Sequence, residues 1–151
     1  MKTPMNVFNT AMKKKNKNRK GFSLVELIVC LVIMAILAAA LVPTLIGYIK
    51  QTRQSNAKNE AAQVVQAAQT ITSSAFASPD KTYVNQSSGG NVVFTDFDTF
   101  PTAGTSVVED LAEVDGSVGS ITIDDGVVTG ITYTAQNGDV VTYSSGTYTV
   151  A

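Results

Sequence analysis

The sequence predicts an α+β chain: a long N-terminal helix, membrane-spanning in its first half and amphipathic in its second, packed against a small C-terminal antiparallel β-sheet. Three observations in the 151 residues lead there. Leu27 to Ile49 is an uncharged run of 23 residues, and a helix needs about 20 to cross a bilayer. Ala57, Ala61, Val64, Ala68, Ile71 and Ala75 then recur at spacings of 4, 3, 4, 3 and 4, one apolar stripe on a continuing helix. From Ser120 the apolar period changes to two, as in half-buried strands.

Taken in order, Met1 to Lys20 is polar, basic and without helical periodicity. Residues 1–21 read as a leader. They hold seven of the eleven Lys+Arg (Lys2, Lys13, Lys14, Lys15, Lys17, Arg19 and Lys20) and no acid. The remainder therefore carries four basic and all 12 acidic residues. By the positive-inside rule the leader stays in the cytoplasm and the C-terminal part is exported. So acidic an exterior argues against direct nucleic-acid binding.

Residues 22–49 form the apolar helix, in which Pro43 is the one breaker; it lacks a backbone donor, so a kink or loosened turn is expected around Ala39 to Ala40. Residues 50–77 continue the helix as its amphipathic half, and Ser78-Pro79-Asp80 stops it. Residues 78–151 make the exported β-rich domain. Asp80 to Gly104 reads as loop, with a short apolar run Val92-Val93-Phe94. Ser106 to Val114 predicts a short helix capped by Thr105 or Ser106, with Val107, Val108, Leu111 and Val114 on one side. The runs around Ile121/Ile123, Val127 to Thr134, Val140 to Tyr143 and Thr147 to Val150 predict four strands. Asp125-Gly126, Asn137-Gly138 and Ser145-Gly146 separate them as tight turns, which makes a meander. The apolar face of that meander needs a cover, and the Ala57 to Ala75 stripe is the candidate.

Glu26 is the chemical anomaly. A carboxylate at mid-membrane costs on the order of 2.5 to 3.5 kcal/mol, so at the head of a spanning helix it needs a partner or a purpose. The stretch Gly21-Phe22-Ser23-Leu24-Val25-Glu26, behind a basic leader and ahead of an apolar helix with Pro43, resembles the precursors of type IV pilins and the related pseudopilins. The resemblance implies cleavage between Gly21 and Phe22 by a membrane-embedded prepilin peptidase/methyltransferase, with N-methylation of the Phe22 amine. It further implies assembly through Phe22, Glu26 and Pro43 into a homo-oligomer or pilin filament. The Glu26 carboxylate would pair with the new amine of a neighbouring subunit. The chain would reside in the membrane before assembly and engage an inner-membrane assembly platform. Gly21 suits such a cut because it lets extended backbone approach an active site closely. Many Gram-negative relatives close a C-terminal loop with a cysteine pair, whereas Cys30 is the only cysteine here; its absence suggests a Gram-positive type.

Other readings compete. An ordinary secretory signal would use Ala38-Ala39-Ala40 as its small-residue site and leave Leu41 first in an exported soluble binding module. The 23-residue run exceeds the h-region of such signals, about 7 to 15 residues. A signal anchor without processing is a further alternative, and a minor pseudopilin of a type II secretion or competence DNA-uptake machine shares the same signal. Asp96, Asp98, Asp124 and Asp125 invite a calcium reading but lack the full loop pattern. Asn85-Gln86-Ser87 matches the glycosylation acceptor pattern. Cys30 reads as a small buried hydrophobe. With no His and no Trp, and no nucleophile beside a base, the chain is expected to be a structural subunit with no cofactor, no metal and no catalytic residue.

Overall fold

The structure is a computed structural model that describes residues 21–151. The leader, Gly21 apart, lies outside the described residues. The described chain divides into two compact units, the boundary lying between Leu45 and Ile46.

Helix α1 spans Leu24–Ala77. Its helical assignment runs unbroken through Pro43, and the Thr44 hydroxyl donates to the Leu41 carbonyl at 2.8 Å in the turn beside it. The helix ends where expected: Ser78 N–H reaches back only three residues to the Ala75 carbonyl, and Pro79 follows. All six residues of the predicted stripe are buried, joined by Ala67 and Thr72. The Thr72 hydroxyl satisfies itself on the Ala68 carbonyl at 2.8 Å, which lets a polar side chain share an apolar face.

The segment expected to be loop after Asp80 contains a hairpin, β1 (Thr82–Val84) antiparallel to β2 (Asn91–Val93). The strands are three residues each, too short for a period in the sequence to mark them. Asn85 closes their turn by accepting the Ser87 N–H at 3.0 Å and donating to the Ser88 hydroxyl at 2.8 Å. Its side chain is buried, which takes the glycosylation pattern off the surface.

A single 3₁₀ turn, Thr102–Gly104, leads into α2 (Thr105–Ala112). The expected cap is absent. Gly104 occupies the N-cap, while the Thr105 and Ser106 hydroxyls donate backward to the carbonyls of Thr102 and Ala103, at 3.0 and 3.5 Å. The carbonyls of the 3₁₀ turn can take a second donor, Thr102 O accepting both the N–H and the hydroxyl of Thr105, and the hydroxyls bond there instead of to the helix N–H groups. Val107, Val108 and Ala112 are buried, whereas Leu111 is exposed: Ala112 takes the inward position assigned to Leu111.

Strands β3 (Ser117–Asp124), β4 (Val127–Thr134), β5 (Val140–Ser144) and β6 (Thr147–Val150) form the predicted antiparallel meander in the order β3-β4-β5-β6. Asp125-Gly126 (φ 47° and 79°) and Ser145-Gly146 (φ 43° and 97°) are left-handed pairs, the geometry of two-residue type I′ hairpins. β3 starts three residues before its apolar pattern does, because register shifts interrupt its pairing around Gly119 and again after Thr122.

The core of the second unit joins the stripe to Val92, Phe94, Phe100, Val107, Val108, Val118, Ile123, Val128, Ile131, Tyr133 and Val141. Each fully buried Val or Ile there contributes roughly 1.5 to 3 kcal/mol. Among the aromatic side chains, Phe94, Phe100 and Tyr133 are buried; Phe97, Tyr143 and Tyr148 pack partly buried against the same cluster.

Candidate functional site

The sequence singles out the head of α1, and the structure shows how that head is built. Gly21, Phe22 and Ser23 precede the helix without regular secondary structure. Ser23 is the residue that starts it. Its hydroxyl accepts the Glu26 N–H at 3.2 Å, and its carbonyl accepts the N–H groups of Glu26 and Leu27 at 3.1 and 3.2 Å. A serine three residues before a glutamate, ahead of an apolar run, is the signature of a helix capping box. The pattern is written in Ser23-Leu24-Val25-Glu26, beside the charge of Glu26.

Glu26 sits in the first turn of α1. A negative side chain there also meets the positive end of the helix dipole, an attraction of about 0.3 to 1 kcal/mol. Glu26 therefore has a local role in starting the helix besides any role toward a neighbour. A Cβ built on Gly21 would meet nothing within 4 Å, and Phe22 is 76 % exposed. Pro43 lies 17 positions beyond Glu26 along the same helix and does not meet it.

Downstream of Glu26 every large apolar side chain as far as Ile49 is exposed, from Leu27 at 55 % to Ile49 at 43 %. Cys30, expected to be buried, is exposed with them. So large a contiguous apolar surface is one that water does not tolerate. It is also the one described helix long and apolar enough to cross a membrane.

In the second unit the polar contacts lock elements together. The Tyr133 hydroxyl, on β4, donates to Glu60 Oε2 of α1 at 2.7 Å and accepts the Gly116 N–H at 3.1 Å. Burial, followed by the hydrogen bond and charge of Glu60, holds the Tyr133 hydroxyl well above the usual tyrosine range. Gln69 of α1 accepts the Val128 N–H at 2.9 Å and donates to the Gly126 carbonyl at 3.2 Å, so its amide imitates a neighbouring strand at the start of β4. Glu109 of α2 accepts the Val118 N–H at 2.6 Å. Asp96 accepts the N–H groups of Asp98 and Thr99, and Asp98 accepts that of Asp125. These aspartates brace turns, and among the described residues no cluster of three or more metal-ligating side chains forms.

Residues 16–42 match the family model of the prokaryotic N-terminal methylation motif. This is the type IV prepilin-type signal, and it supports a pilin or pseudopilin precursor. No curated protein and no solved structure matches the chain.

Proposed function

We propose that this chain, bearing the prepilin-type signal, is the structural subunit of a type IV pilus-like surface filament and that polymerisation is its activity. The exposed apolar length of α1 supports the reading most directly: a helix whose outer half is packed into a folded unit leaves its inner half, Leu24 to Ile49, bare. A bilayer covers that surface before assembly, and neighbouring copies of the same helix cover it afterwards.

Processing makes the exchange possible. Cleavage between Gly21 and Phe22 removes all seven leader charges that hold the N-terminus on the cytoplasmic face. The Phe22 amine, methylated, then becomes the first atom of the mature chain, two residues ahead of the helix. Glu26, one turn on, pairs with the amine of a neighbouring copy, and an unpaired charge in hydrocarbon penalises every wrong stagger. Pro43 gives the helix a point of compliance where ladder hydrogen bonds are missing. The prepilin peptidase/methyltransferase and a membrane assembly platform are the partners this sequence of events needs. The chain is a substrate of enzymes rather than one itself.

N-terminal mass analysis of sheared surface filaments tests the reading. A mature chain beginning at methylated Phe22 is the expected result. A chain beginning at Leu41 would establish a cleaved signal peptide and end the filament proposal.

A further inference from the structure

The basic residues of the second unit are unevenly placed. Of its four, Lys50, Arg53, Lys58 and Lys81, the first three lie on α1 within nine positions, immediately after the apolar run ends at Ile49. Lys50 and Arg53 line a cleft of about 480 Å³ together with Ile46, Ile49 and Asp139 of the β4–β5 turn. The cleft has an unusual composition: two adjoining aliphatic side chains from the last turn of the apolar run, two cations one turn further out, and one carboxylate opposite.

The carboxylates that line this cleft and the depression beside it each accept a hydrogen bond from a neutral group. Asp139 Oδ2 accepts from Asn137 Nδ2 at 2.9 Å, and Glu60, in the neighbouring depression that Arg53 also lines, accepts from Tyr133. The cleft thus offers a fork of guanidinium donors and an ammonium to an anion, with aliphatic surface on the side toward the bilayer. A phosphate bearing an acyl chain matches both halves at once. Arg binds phosphate through two parallel N–H donors, and Lys adds a point charge. Polybasic segments beside a spanning helix attract anionic headgroups for the same reason.

We propose that this cleft is a binding site for an anionic phospholipid headgroup of the outer leaflet, with Lys50 and Arg53 on the phosphate and Ile46 and Ile49 along the first acyl carbons. The site rests on the membrane-anchored state that precedes assembly. It gives the subunit a defined depth and a fixed rotation about α1 before it is withdrawn from the bilayer.

The test is native mass spectrometry of the full chain released from nanodiscs that mix phosphatidylglycerol with phosphatidylcholine. Phosphatidylglycerol is expected to be retained preferentially. Each cation contributes about fivefold to that preference, so the Lys50→Gln and Arg53→Gln variants each lose about that much and the double variant loses nearly all of it. Lys58→Gln, which removes an equal charge outside the cleft, is expected to leave the preference unchanged. Inorganic phosphate added in solution is expected not to displace the lipid, since it lacks the acyl half. Equal retention of both lipids, an unaffected double variant, displacement by phosphate alone, or a second copy of the chain retained in place of lipid would each overturn the site. A chain that enters no nanodisc would overturn the membrane-anchored state itself, whereas a chain that inserts without lipid preference overturns the cleft proposal alone.

Discussion

Tyr133 carries more of the second unit than any other polar side chain, because one hydroxyl joins α1, the approach to β3 and β4. Removing it in Tyr133→Phe keeps the ring in its buried place and leaves Glu60 and the Gly116 N–H without their partner. Leaving such groups unsatisfied costs about 1 to 3 kcal/mol, to be read from thermal or denaturant unfolding of the full chain in detergent micelles. The pH dependence has a definite sign. Because burial raises the folded-state value above the unfolded one, the hydroxyl's contribution is complete below about pH 10 and is lost as the pH climbs from there toward the folded value. Tyr133→Phe should therefore show a shallower alkaline loss of stability than the parent. Tyr148, raised chiefly by burial and then by its neighbour Tyr143, supplies part of the slope that remains. An unchanged alkaline slope in the Phe variant would show that Tyr133 does not titrate as its surroundings require. Gly116 is bound to the same hydroxyl: a Cβ built on it would collide with the Tyr133 hydroxyl and the Thr134 carbonyl. Gly116→Ala is expected to destabilise by about 1 to 3 kcal/mol.

Among the elements, Gln69 decides where β4 begins. Its amide pairs with both Gly126 and Val128, as a strand would. Gln69→Ala should lower hydrogen-exchange protection at the Val128 amide well before it affects the β4–β5 ladder; protection lost evenly along the sheet would contradict that local role. This contact also marks the limit of what the sequence discloses. The stripe Ala57 to Ala75, the stop at Pro79 and the meander were legible because each follows from a period or a turn pair that acts over a few residues. The β1–β2 hairpin was not, since three-residue strands carry no measurable alternation and depend on Val92 finding the core. The start of α2 was misassigned because hydroxyl residues can bond backward as well as forward, and only the 3₁₀ turn before them settles the direction. At the head of α1 the charge of Glu26 was readable in isolation, but Ser23 acquires its capping role only through the serine-to-glutamate spacing. The cleft at Lys50 and Arg53 was invisible in sequence, as Asp139, which closes it, lies more than 80 residues away.

For the molecule as a whole, the decisive question is which property of Glu26 is used, since the structure gives that residue a helix-starting position and the assembly proposal gives it a charge to neutralise. Substitutions separate the two. Glutamine at the same position keeps the polar reach that a capping box accepts, but carries no charge. If Glu26 only starts the helix, Glu26→Gln should assemble as the parent does, losing only the dipole attraction of its charge, while Glu26→Ala also loses about 0.5 to 1 kcal/mol of helix stability, within the usual effect of a cap. If it pairs with the Phe22 amine of a neighbouring copy, Glu26→Gln and Glu26→Ala should both be exported and cleaved, and both should assemble poorly. The amine would then stay unpaired in an apolar bundle whichever uncharged residue replaced Glu26. Cleaved subunit in the membrane fraction measured against subunit in sheared filaments reads the outcome directly. Filaments from Glu26→Gln at parental abundance would remove charge pairing from the assembly mechanism and leave Glu26 as the partner of Ser23.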